Sequence, residues 1–74
     1  MRPLVLTNDL ILLNAIEALL TSAGIGHVVL DQHMSALEGS IGLLPRRLLV
    51  EEERYRAARS LLSEAGFGHA LAVE

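Results

Sequence analysis

Residues 19–27 read Leu-Leu-Thr-Ser-Ala-Gly-Ile-Gly-His, and residues 61–69 read Leu-Leu-Ser-Glu-Ala-Gly-Phe-Gly-His. Six of the nine positions are identical, and Thr21/Ser63 and Ile25/Phe67 keep their chemical character. A 74-residue chain that carries the same stretch twice uses one supersecondary unit twice. The stretch has a physical reading. An apolar helix ends at Ala-Gly, and glycine takes the left-handed position past the helix end that other residues reach only at a steric cost. The apolar residue after it, Ile25 or Phe67, packs back on the last turn. A strand is then expected at 27–30 and again at 69–73.

The flanking sequence completes each unit. Ile11, Leu12, Ala15, Ile16, Leu19, Leu20 and Ala23 follow helical spacing,. Thr7 or Asn8 is the expected N-cap, with Asp9 in the first turn facing the positive end of the helix dipole. A second helix is expected over 51–65, with Tyr55, Ala58, Leu61, Leu62 and Ala65 as its inner stripe,. Glu51, Glu52 and Glu53 suit its start electrostatically. Apolar strands precede the helices at 3–6 and 47–50. The order strand-helix-strand, twice, predicts an α+β fold: a ferredoxin-like βαββαβ sandwich with a four-stranded antiparallel sheet and both helices on one face. The whole chain, 1–74, is one domain, and residues 31–46 form the long connection between the second and third strands.

Composition removes several function classes. The chain holds no cysteine, so neither a disulfide nor a thiolate metal site staples it,. With 51% hydrophobic residues it folds rather than remaining disordered,. A formal charge of −3, with six arginines and no lysine, opposes nucleic-acid binding,. Asn8, Asp9, Asn14 and Glu17 interrupt the N-terminal apolar stretch, which argues against a signal peptide,. No run approaches the ~20 apolar residues of a membrane span. The expectation is a cytoplasmic protein without membrane contact.

The polar chemistry is concentrated at 31–47. Asp31, His33 and Glu38 are suitable metal donors, but their spacing matches no ligand framework, so no metal or other cofactor is expected,. Asp31, His33 and Ser35 or Ser40 are the residue types of a hydrolytic triad, yet no glycine-flanked serine elbow joins a strand to a helix,. The chain is therefore read as no enzyme. Gly39, Ser40 and Gly42 with Arg46 and Arg47 suit a small anion, because amides of a glycine turn point at phosphate and arginine forks to it. The expected ligand-binding set is Asp31, His33, Ser35, Glu38, Gly39, Ser40, Gly42, Arg46 and Arg47. His27 and His69 hold equivalent places in the repeat, which suggests a structural task at each strand entrance.

Asn8-Asp9 opening an apolar helix, the Ala23-Gly24-Ile25 exit, Asp31-Gln32-His33-Met34-Ser35, Glu38-Gly39-Ser40-Ile41-Gly42 and Pro45-Arg46-Arg47 together resemble a family of small bacterial domains labelled as prokaryotic signal-transducing proteins. The resemblance covers nearly the whole chain. It implies a ferredoxin-like fold similar to the PII nitrogen-signalling proteins. It implies no ligand, reaction or catalytic residue. The chain lacks the extended loop that PII proteins insert into their targets.

The functional expectation is a non-catalytic regulatory module that senses a small anionic ligand through residues 31–47. The alternative is a protein-interaction module that uses the apolar residues of the same stretch and an open sheet face. Both alternations of the strands are apolar, so two helices leave one apolar face over. Either Met34, Leu37, Ile41, Leu43 and Leu44 cover it or a second copy does,. A homodimer is favoured, since a short chain without staples gains from a shared core.

Overall fold

The computed structural model describes residues 1–30 and 45–73. Its elements are β1 (Arg2–Thr7), α1 (Leu10–Ser22), β2 (His27–Leu30), β3 (Arg46–Val50), a 3-10 turn (Glu52–Arg54), α2 (Tyr55–Glu64) and a second 3-10 turn (Gly68–Ala70). The three strands form one antiparallel sheet in the order β1-β3-β2. The fold class is therefore α+β, with two α-helices and three strands among the described residues.

Each helix start differs slightly from its expected form. The N-cap of α1 is Asp9, one residue beyond Asn8. Its Oδ1 accepts hydrogen bonds from the amides of Ile11 and Leu12, both at 3.1 Å. Thr7 instead accepts from the Asp9 amide at 3.0 Å and closes the turn out of β1. One carboxylate thus satisfies two free amides and faces the helix dipole. The second helix begins as 3-10 over Glu52–Arg54 and becomes α-helical only at Tyr55.

The two helix exits are the same structure. Gly24 has φ +74° and Gly66 has φ +93°. The amide of Gly24 donates to Thr21 O at 3.0 Å and that of Ile25 to Leu20 O at 2.9 Å. Gly66 donates to Ser63 O at 3.2 Å and Phe67 to Leu62 O at 2.8 Å. This paired bonding is the Schellman motif, and it satisfies carbonyls that the helix leaves open. It also turns Ile25 inward, where it is buried.

One core joins all layers. Leu13, Ile16 and Leu20 of α1 and Tyr55, Ala58 and Leu62 of α2 meet Leu4, Val5, Leu48 and Val50 of the sheet. The register shifts between Pro3 and Val5, so Leu4 is an extra residue opposite β3. Such a bulge interrupts strict alternation, and Leu4 and Val5 are both fully buried. Pairing of Val29 and Val5 with Leu48 groups these three on the helix-covered face. The simple alternation that puts Leu4 with Leu6, or Val28 with Leu48, does not hold.

The expected fourth strand over 69–73 is not formed among the described residues. Gly68–Ala70 coils into a 3-10 turn, closed by Ala70 N–H to Phe67 O at 2.9 Å. That turn consumes the residues that would have begun the strand. What remains is a single antiparallel bridge between Leu71 and Val5 and a 2.8 Å bond from the Ala72 amide to Leu4 O.

Nothing lies within 4 Å of a Cβ built on Gly24 or Gly66, so only backbone strain opposes a side chain there. Gly24→Ala and Gly66→Ala are each expected to cost about 1 kcal/mol. For a domain of this size that lowers Tm by roughly 4–8 °C. Unchanged denaturation midpoints for both variants would contradict the role given to these glycines.

Candidate functional site

The helices cover one face of the sheet, and among the described residues the other face is open. Its composition follows from the register. Arg47 pairs with Leu6 on one side and Leu30 on the other, giving the cross-strand row Leu6, Arg47, Leu30. Leu49 pairs with Pro3 and Val28, giving the row Pro3, Leu49, Val28. Leu6 is 46% exposed, Val28 42% and Leu30 39%. Side chains paired across strands have Cβ atoms about 4.5–5.5 Å apart, so these residues form one continuous apolar surface with a cation on its central strand.

Arg47 is exposed, and among the described residues its side chain has no ion pair or hydrogen bond. Arg46 is half-buried and sits opposite Thr7. Neighbouring strand residues project to opposite faces, so the two arginines leave β3 on different sides of the sheet rather than as one fork. Asp31, His33, Ser35, Glu38, Gly39, Ser40 and Gly42 lie outside the described residues, as do Met34, Leu37, Ile41, Leu43 and Leu44.

Leu6 also lines a cleft of about 420 Å³, with Thr7 and Leu12 on one side and residues 69–73 on the other. The wall opposite β1 is held by a cluster around Tyr55. The Arg59 guanidinium donates to Tyr55 Oη at 3.0 Å and to Ala72 O at 2.7 Å. Arg2 lies over the Tyr55 ring at 3.9 Å from its centre and pairs with Glu52 at 2.9 Å. A buried phenol thus receives a cation on its face and a donor at its oxygen. Tyr55 and Arg59 stand four residues apart in α2, a spacing that brings side chains together on a helix. The arrival of Arg2 and Ala72 has no such local signal.

The two histidines of the repeat do not stay equivalent. His27 is half-buried on β2, with Nδ1 donating to Ile25 O at 3.1 Å and Nε2 3.8 Å from a Glu17 carboxylate oxygen. His69 is exposed in the second 3-10 turn. The repeat diverges after its glycine because only the first copy continues into a strand. Among the described residues no three His, Asp or Glu side chains group as metal ligands, and no helix is long and apolar enough to cross a membrane.

A family profile matches residues 1–66 of the chain. The chain belongs to the family described as putative prokaryotic signal transducing protein. No curated protein matches it. The family's description points to signalling and specifies neither ligand nor reaction. Its matched region contains the whole sheet, both helices and the second Schellman glycine, and ends at Gly66. The segment that Arg59 holds against β1 follows it.

Arg59→Met removes both donors of that clasp while keeping much of the apolar stem. The expected loss is about 1 kcal/mol in this half-exposed setting, with faster hydrogen exchange at the Ala72 amide. Unchanged exchange at Ala72 would show that Arg59 does not hold the segment.

Proposed function

We propose that this family member is a non-catalytic signal-transducing module whose output is a contact with a partner protein, made by the open face of its sheet. One observation carries this reading: Leu6, Val28 and Leu30 stand 39–46% exposed on one continuous face. Apolar patches on soluble monomers tend to mark interaction sites. The family's description agrees with a signalling role, and a cytoplasmic location accords with a chain free of cysteine,. We assign it no reaction and no cofactor.

A second reading rests on Arg47. Its exposed cation, unpaired among the described residues, suits a small anion held with Asp31, His33, Ser35, Glu38, Gly39, Ser40 and Gly42, but without Arg46, which leaves β3 on the other side. Amide shifts on adding phosphate or ATP distinguish the two. Shifts concentrated at 39–47 at millimolar ligand support sensing. Scattered or absent shifts leave the contact reading alone.

We further read the architecture as an abbreviated ferredoxin-like, PII-like fold. The Val5–Leu71 bridge and the Ala72–Leu4 hydrogen bond support a rudimentary fourth strand beside β1.

If the face is free to dock, its residues contribute little to folding. Leu6→Ser and Leu30→Ser are each expected to cost about 1 kcal/mol or less, against about 2–5 kcal/mol for the buried Leu48→Ala. In sedimentation at tens of micromolar a free docking face predicts the 8.0 kDa monomer, whereas the homodimer favoured from chain length predicts twice that mass,. A species of twice that mass that dissociates in Leu30→Ser would make a second copy the occupant, as the short chain alone suggests.

A further inference from the structure

Resting on the docking-face reading, we infer that Arg47 is the specificity anchor of that face and that the partner presents a single carboxylate side chain set among large apolar ones. Arg47 occupies the central strand, flanked in register by Leu6 and Leu30. Its aliphatic stem continues their apolar surface and its guanidinium forms the tip. A purely apolar partner would bury that guanidinium without a counter-charge, which is strongly unfavourable. A carboxylate meets it through two parallel hydrogen bonds.

Charge on the rest of the molecule narrows the partner. The described acidic groups do not compete for Arg47. Glu52 pairs with Arg2 and Glu17 faces His27. A Cβ built on Gly26 would lie 3.4 Å from Glu51 Oε1, at the other end of β2 from Leu30. The chain's net charge of −3 repels a broadly acidic surface,. The complementary charge is therefore local, one carboxylate within an apolar patch. The same cation disfavours a second copy: a two-fold contact centred on this face brings the two central strands together, and with them two Arg47 guanidiniums.

The test is selection of random peptides displayed on phage against the full chain, followed by affinity and amide-shift measurements on the selected sequences. Selected peptides are expected to carry Asp or Glu between Leu, Ile, Val, Phe or Met and to shift the amides of β1, β2 and β3. Replacing that acid by Lys is expected to weaken binding about tenfold or more. In the exposed variant Arg47→Glu, whose thermal midpoint checks its folding, the preference reverses toward Lys. Arg47→Lys keeps the acidic preference. Peptides that bind the face equally well with Glu or Lys overturn the anchor and leave the docking reading intact. Selected peptides that shift only other regions, failure to select any, or a dimer that protects the face overturn both.

Discussion

Two short helices cover one side of a sheet that is apolar on both. Everything else in this small protein follows from that mismatch. The inner side is filled by Leu4, Val5, Leu48 and Val50 against the helix stripes. A chain this short buries only ~60% of its unfolded surface, so the sheet gains most from one well-filled side. Leu6, Val28 and Leu30 stay exposed on the other.

Local devices hold the geometry in place. Each helix is stopped by the same glycine exit, and each exit returns an apolar residue to the core or its margin. The bulge at Leu4 turns an extra side chain inward and thickens the core under β1. Arg59 and the Ala72 amide then tie the last residues across the same strand. These contacts converge on the bulged end of β1. The open face beside Arg47 has no comparable tie among the described residues.

Much of this was legible in the residues. The duplicated Leu-Leu-…-Ala-Gly stretch gave both helix ends, because a left-handed glycine and an apolar follower are local requirements. The three strands and the Tyr55, Ala58 and Leu62 stripe of α2 followed from periodicity, whereas α1 is apolar nearly all round, so spacing missed its buried Leu13 and placed the exposed Ile11, Ala15 and Ala23 inside. The bulge was not legible, since Pro3-Leu4-Val5 alternates as well as any strand and only the register with β3 reveals the extra residue. The missing fourth strand has a similar cause: Gly68-His69-Ala70 matches Gly26-His27-Val28 closely, but two backbone bonds close it into a turn. For the site, Arg46 and Arg47 were singled out as a pair, whereas strand alternation separates them. The significance of Arg47 lies in its neighbours Leu6 and Leu30, which are distant in sequence. The residues from Asp31 to Gly42 lie outside the described structure.

Among the described residues, one sheet face of the free chain is open to solvent. Paramagnetic relaxation by a soluble gadolinium chelate measures this directly on methyl groups of the full-length protein. Leu6, Val28 and Leu30 methyls are expected to relax strongly, while those of Leu4, Val5, Leu48 and Val50 are protected. Equal protection of both sets would mean the face is already covered in the free protein, and the docking account would fail.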